Sequence, residues 1–305
     1  MPAQVRVYAP GSIGNLGPGL DILGLAIDGA GDVVTAERSA PGVVIDQPGD
    51  PALPRDPTLH SSGIAALAVL RMAGASFGVR LRVEKGLPLS GGQGGSAASA
   101  VAGAVAANLL LDVPLTRSAL LQAALEAETV VAGAHADNIA PILLGGLVLI
   151  RATQPLDVVR IPVPARLCLV LAKPDHSLST REGRGLLPET VTREIALHQA
   201  AQVAAIVAAA ASGDLALLGR AIDDRIAEPA RAPALPGFLA AKAAALEAGA
   251  LGCSISGSGP TAFAVVSDEA SGERVARAMA QAYRDAGIGC ATRLVHPDLQ
   301  GARAL

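Results

Sequence analysis

The sequence predicts a two-domain protein of the α+β class, and three observations carry that expectation. The chain has 305 residues, enough for one large or two ordinary domains. Stretches with strand alternation are interleaved with stretches of helical periodicity. Prolines gather at Pro155, Pro162 and Pro164, which divides the chain into residues 1–153 and residues 154–305. The second part orders its elements β-α-α-α-β-α-β, which suits helices on one face of a sheet.

Composition narrows the class further. Hydrophobic residues make up 51% of the chain and aromatics only 2%, with no Trp, so the core is built of Ala, Val, Leu and Ile. The net charge is −3 and no basic run occurs, which argues against nucleic acid or an acidic membrane surface as partner. Cys168, Cys253 and Cys290 form no CxxC pair and read as reduced thiols. The N-terminal residues lack a basic-then-apolar signal pattern and no 18-residue span reads as transmembrane, so a cytoplasmic protein is expected. Only three of the 24 basic residues are Lys. Arg suits bidentate carboxylate or phosphate binding, although a compositional bias produces the same skew.

In chain order, residues 4–9 alternate as a strand. Residues 10–24 look too Gly-rich for a regular element and read as a shaped loop whose polar points are Asn15 and Asp21. Either residue serves as a turn former or as a substrate ligand. Strands follow at 24–28 and 31–37, then an exposed Pro/Gly/Asp loop at 41–57. A helix is expected from Ser61 to Ala73 and a half-buried strand over 77–84.

The central stretch is Pro88–Ala100, where Gly91, Gly92, Gly94 and Gly95 precede Ser96 and an Ala-rich helix reaching Leu111. A Gly-rich loop feeding a helix N-terminus presents free N–H groups and a positive dipole end, which makes a phosphate cradle. The GxxxxGK[ST] loop is absent. The weak GxGxxA match at Gly92, Gly94 and Ala97 repeats at Gly257, Gly259 and Ala262, and no strand ends in an acid at dinucleotide spacing.

Thr116 caps a helix to about Ala132. Glu128 falls on its apolar stripe with Leu121 and Leu125, and a carboxylate there needs a partner, a metal or a raised pKa. His135, Asp137 and Asn138 form a polar cluster, without a second His or Cys at zinc-ligand spacing. Residues 142–150 read as a strand pair about Gly145 and Gly146. Beyond the proline cluster come a strand at 166–172 and Ser177–Pro188, with Arg181 and Arg184 three apart. Helices are expected at 190–211, 214–227 and 236–248, with the Glu228–Arg231 stretch interrupting the last two. A second small-residue loop spans 252–264 beside a strand at 261–266. A helix at 269–286 and a strand at 290–295 close the chain.

Three stretches together, the Asn15–Asp21 loop, the 88–99 loop and the 252–264 loop, resemble the three motifs of the GHMP kinase superfamily in order and spacing. The chain is most similar to its homoserine kinase family. The supporting stretches are Asn15–Asp21, His135–Asn138, Ser179–Arg184, Glu228–Arg231 and Ser256–Thr261.

The resemblance implies an N-terminal domain like the second domain of ribosomal protein S5 and a ferredoxin-like C-terminal domain. It also implies ATP-dependent phosphorylation of the L-homoserine hydroxyl, a step of threonine synthesis. By position, Pro88, Leu89, Ser90, Gly91, Gly92, Gln93, Gly94, Gly95, Ser96, Ala97 and Ala98 would wrap the ATP phosphates. Ser96 and Glu128 would hold Mg²⁺, which takes a few hard oxygen ligands plus phosphate. Asn15, Asp21, His135 and Asn138 would fix the amine and hydroxyl of the substrate. Arg184 and Arg231 would take its carboxylate. Thr180 would stand near the reacting phosphate and Gly257 near the substrate. Asp21, Asn138 and Thr180 would be the residues closest to the chemistry. Asn138 stands where some relatives carry an Asp, so no dedicated base is expected.

Two positions depart from the family's P-x-x-x-G-L-G-S-S-A-A pattern. Gln93 replaces Leu and either bonds a phosphate or sits in solvent, and Gly95 replaces the first Ser but keeps its N–H. Alternative readings are a kinase for another small hydroxylated carboxylate, a decarboxylating relative, or a non-catalytic nucleotide or amino-acid binding protein. The family habit and the Ala-rich surfaces allow a homodimer.

Overall fold

The computed structural model describes residues 4–305, so the first three residues of the expected N-terminal domain lie outside it. The elements in chain order begin with β1 (Gln4–Gly14), β2 (Leu23–Ser39), β3 (Val43–Gln47), α1 (Ser61–Met72), β4 (Gly78–Glu84), α2 (Gly95–Leu109) and α3 (Arg117–Val131). They continue with α4 (Ile139–Leu144), β5 (Leu147–Thr153), β6 (Leu156–Ile161), β7 (Cys168–Pro174), α5 (Thr180–Gly185), α6 (Arg193–Ser212) and α7 (Leu215–Arg220). The chain closes with α8 (Ala227–Arg231), α9 (Phe238–Glu247), β8 (Gly252–Ile255), β9 (Ala262–Val266), α10 (Glu269–Asp285), β10 (Cys290–Val295) and β11 (Arg303–Ala304). The fold is the two-domain α+β arrangement the sequence predicts.

The first sheet runs β11-β1-β2-β4-β3, with β5 pairing both β2 and β6. Helices α1, α2 and α3 cover it over a core of Ala, Val, Leu and Ile. Much of the stretch expected as a loop at 10–24 is strand. After a register shift at Pro10/Gly11, Gly11 to Gly14 pair with Ile27 to Gly24, leaving only residues 15–22 as loop. The glycines serve close packing instead. A Cβ on Gly24 would lie 1.7 Å from the carbonyl oxygen of Asp137, so the 135–138 turn rests directly on bare backbone. The two strands expected at 24–28 and 31–37 are one, bent at Gly29, and the 41–57 loop contains β3, parallel to β4. The strand pair expected at 142–150 is instead α4 followed by β5. Residues Ile139 to Leu143 are buried all round, which removes the periodicity that separates helix from strand.

The division expected at 153/154 falls inside the β5–β6 hairpin of the first sheet, so we divide the chain after Ile161. The second sheet is antiparallel in the order β10-β7-β9-β8. Numbered within its domain this is 4-1-3-2, the ferredoxin-like order the resemblance implies. Helices cover both faces, where one was expected. Val170, Ala172, Ala262 and Ala264 pack on α9 and α10. The alternate residues Leu169, Leu171, Phe263 and Val265 pack with α6, α7 and Ile13, Leu23 and Leu25 of the first sheet. That shared core joins the domains, and β11 returns to pair with β1.

Helix α6 is 20 residues long with a window of mean hydropathy 1.5, long and apolar enough by composition to cross a membrane. Its Ile206, Ala209 and Ala210 are buried in the shared core, and its Gln199 bonds Pro18 O at 3.1 Å and Asp224 Oδ1 at 3.0 Å.

Candidate active site

One cavity of about 480 Å³ opens between the domains. Asn15, Asp21, Glu128, His135, Asn138, Thr180, Arg184, Arg231, Gly257 and most of the 88–96 loop line it. Residues spread over more than 240 positions of sequence thus meet in one place.

The wall expected to hold phosphate is backbone. Gly92 and Gly94 have φ of +71° and +70°, and Gly94 caps α2 with no side-chain hydrogen bond. Gly95 and Ser96 in the first turn of this 15-residue helix line the cavity, and no side-chain cap accepts from their N–H groups. The loop rests on Lys85, whose ammonium pairs with the buried carboxylate of Asp32 and donates to Gly95 O at 2.9 Å and Ser99 Oγ at 3.0 Å. Lys85 lines the cavity too, and no motif pointed to it. The expected cradle is narrower than the 88–98 stretch. Ala97 and Ala98 are fully buried in α2 and face the core. Gln93 also leaves the cavity and contacts neither phosphate space nor solvent. It is 5% exposed, donates from Nε2 to Thr261 Oγ1 at 3.2 Å and accepts at Oε1 from Arg293 at 2.7 Å.

Ser96 and Glu128 meet beside this loop, with Ser96 Oγ donating to Glu128 at 3.0 and 3.2 Å. Burial pushes the Glu128 carboxyl up to about 7, the Ser96 bond opposes this, and Asp137 adds to it. Among the described residues no cluster of three or more His, Cys, Asp or Glu is arranged to hold a metal. A carboxylate and a hydroxyl are hard oxygen donors, and the cost of burying Glu128 as an anion is the cost a divalent cation removes. The pair fits Mg²⁺ when phosphate oxygens complete the shell.

The wall expected to hold the acceptor is made of charged side chains tied to one another. Arg184 grips Asp21 in two bonds, Nη2 to Oδ1 at 2.6 Å and Nη1 to Oδ2 at 3.1 Å. His135 Nδ1 lies 3.4 Å from Asp21 Oδ1, and burial holds its pKa below the ordinary value while Asp21 opposes that. Arg231 is 3% exposed and donates to Gly183 O at 3.0 Å and Gly257 O at 2.9 Å, with no carboxylate in those bonds. Its helix α8 is held by Asp224, which accepts from the N–H groups of Ile226, Ala227 and Glu228. Ser12 Oγ donates to Asn138 Oδ1 at 2.8 Å.

Asp137, quoted in the His135–Asn138 cluster but given no role from sequence, lines the cavity. Burial first, then the Asp21 charge, pushes its carboxyl up to about 7 against the Arg184 charge and the Asn15 N–H. Two expected substrate ligands line the cavity and also bond within the protein. Asn15 Nδ2 donates to Gly257 O at 3.0 Å and its Oδ1 accepts from Asp21 N at 3.0 Å. The Gly257 N–H donates to Gly14 O at 3.1 Å. Both residues join the Asn15–Asp21 loop to the 256–261 loop and shape the cavity from there. Thr180 follows Ser179, whose capping box with Glu182 starts α5 and turns Arg184 inward.

Comparison with known proteins agrees with this arrangement. The family model for the GHMP kinases N terminal domain matches residues 60–146, and that for GHMP kinases C terminal matches residues 205–285. The chain is 43% identical to the homoserine kinase of Chlorobium phaeobacteroides, over 92% of each chain. It is 44% identical to that of Arabidopsis thaliana, over 93% of this chain and 80% of the relative. The crystal structure of homoserine kinase from Cytophaga hutchinsonii superposes with a TM-score of 0.95 at 39% identity, covering 100% of this chain and 98% of that one. A mevalonate kinase from L. major, at 19% identity and a TM-score of 0.72, shares the fold. The chain belongs to the homoserine kinase family of the GHMP kinases.

Proposed function

We propose that the protein transfers the terminal phosphoryl group of ATP to the side-chain hydroxyl of L-homoserine, as the names of its relatives suggest. The observation that carries this reading is the Asp21–Arg184 pair beside Arg231, in one cavity with an uncapped helix N-terminus. An α-amino acid is a zwitterion. Its carboxylate replaces Asp21 as the partner of Arg184 and meets the guanidinium of Arg231, while its ammonium takes up the acidic group released. The exchange conserves charge within the cavity, so a neutral alcohol or a lone carboxylate binds it less well.

Phosphoryl transfer through a loose transition state needs in-line placement and charge neutralisation more than a base. The free N–H groups of the 91–96 stretch orient the phosphates, and the two arginines fix the far end of the acceptor. The hydroxyl then lies near Asn138. Its amide hydrogen-bonds the hydroxyl and takes no proton; the proton passes to a phosphoryl oxygen as the new O–P bond forms and the bond to ADP breaks. Thr180, which lines the same cavity, orients the transferring group in this reading. Mg²⁺ on Ser96 and Glu128 would neutralise charge that develops on the phosphate oxygens. The experiment is ADP release with ATP and magnesium in the presence of L-homoserine, L-serine, L-threonine or mevalonate. Turnover with homoserine far above the rest supports the reading. Equal turnover with mevalonate removes the carboxylate-and-ammonium argument, and no turnover in folded protein that binds ATP points to a binding protein.

A further inference from the structure

Position 93 breaks the phosphate-loop pattern, and its surroundings explain what the break does. The Gln93 side chain lies at the junction of both domains. Its Oε1 accepts from Arg293 of β10 at 2.7 Å, and Arg293 Nη1 reaches Asp28 O at 3.2 Å. Its Nε2 donates to Thr261 Oγ1, and that hydroxyl donates in turn to Gly91 O at 2.6 Å. Its carbonyl accepts from Ser12 N at 3.1 Å. One residue earlier, Gly92 O accepts from Ser256 Oγ at 2.6 Å, and a Cβ on Gly92 would stand 2.7 Å from the carbonyl oxygens of Ser256 and Gly259. Residues 91–93 are thus bonded to the C-terminal domain through three side chains, while residues 94–96 begin α2.

We infer that Gln93 is a positioning residue that joins the phosphate loop to the C-terminal domain through Arg293 and Thr261, so that the nucleotide site is set by contact between the domains. The inference rests on the proposed kinase reading. A leucine at 93 fills the space but leaves the half-buried Arg293 guanidinium without its side-chain acceptor. A charge-assisted bond lost in this way disturbs the loop more than the loss of a neutral one. The main consequence is for ATP, because Gln93 is itself part of the phosphate loop and reaches the acceptor side only at one remove, through Thr261 of the 256–261 loop.

The test compares the unaltered protein with Gln93→Leu, Arg293→Leu and the double variant, measuring ATP affinity by calorimetry, both KM values and the melting temperature. The expected result is a rise of about tenfold in Kd and KM for ATP in each single variant, with KM for homoserine within about twofold. The double variant is expected to be no worse than either single one, since neither the Arg293 guanidinium nor the Gln93 amide is then left facing a lost partner. Unchanged ATP parameters in Gln93→Leu, or single effects that multiply in the double variant, overturn the inference. A fall in melting temperature with equal rises in both KM values overturns it as well, for that is the mark of a merely structural residue. If the leucine variant does not fold, Gln93→Asn keeps the amide but is too short to span both partners. It is expected to show the same ATP-selective loss, and its absence counts against the inference. An unaltered protein that binds no ATP overturns the kinase reading along with this one, whereas ATP binding untouched by the variants overturns this one alone.

Discussion

In the proposed reading, the two walls of the cavity each hold a charged group away from bulk water, with different materials. The phosphate wall uses peptide N–H groups at the start of α2, shaped by Gly92 and Gly94. The acceptor wall uses side chains that pair with each other, Arg184 with Asp21 above all. A backbone site is preorganised by the fold and carries little net charge. A side-chain site stays partnered in the free protein and has to exchange those partners when its ligand arrives. Substitutions on the two walls should therefore separate cleanly in kinetics.

The largest expected effect is at Arg231. Its guanidinium is buried and, among the described residues, bonds the carbonyl oxygens of Gly183 and Gly257, so charge remains for an incoming carboxylate. Arg231→Ala is expected to lower kcat/KM for homoserine by about 100-fold or more while KM for ATP changes little. Steady-state kinetics with each substrate varied in turn checks this. A comparable rise in the KM for ATP would erase the distinction between the walls.

Next is the phosphate wall. Gly92→Ala forces a left-handed residue to carry a Cβ 2.7 Å from two carbonyl oxygens of the opposite loop. ATP affinity, measured calorimetrically, is expected to fall about tenfold or more, with homoserine binding nearly unchanged.

The contrast also explains what was legible in the sequence. The backbone wall was visible because only glycines tolerate such a loop, and the repeated small residues mark it directly. Glu128 was visible because one carboxylate on an apolar stripe violates the helix pattern. Asp21 was visible only as a polar point of its loop, and Arg184 and Arg231 took their roles from matching positions to a family, since nothing local to each tells that they meet. Lys85 and Asp137 gave no separate signal, because their roles arise from contacts between distant segments. Glycine also misled. Gly14 read as a loop residue, yet it is a strand residue whose lack of a side chain lets the 135–138 turn approach. Likewise Gln93 read as a phosphate or solvent residue because its partners Thr261 and Arg293 lie 168 and 200 positions away.

A smaller effect sharpens the comparison through pH. Glu128 and Asp137 both have carboxyls pushed up to about 7 by burial. Between the usual carboxylate range and about 7, the folded protein holds more protons than the unfolded chain. Its stability therefore falls as pH rises through that window and levels off above it. The melting temperature of the ligand-free protein is expected to drop by several degrees between about pH 5 and pH 7. Glu128→Gln and Asp137→Asn should each flatten part of that slope, and a slope unchanged in both variants would show that other groups set it.

The smallest expected effect lies where the acceptor wall borrows the backbone device. Ser179 starts α5 with a capping box, accepting from Glu182 N at 3.2 Å while Glu182 accepts from Ser179 N at 3.0 Å. Arg184 lies on the same short helix, so the cap sets where the clamp begins. Because the box is exposed, Ser179→Ala is expected to cost about 1 kcal/mol locally. The Asp21 pair still holds Arg184 from the other side. The result should be a rise of only two- to fivefold in KM for homoserine, about what a loss of that size allows, with kcat and the KM for ATP near their starting values. A much larger loss in the same assay would mean that the ion pair depends on the cap, and that the acceptor wall is backbone-built after all.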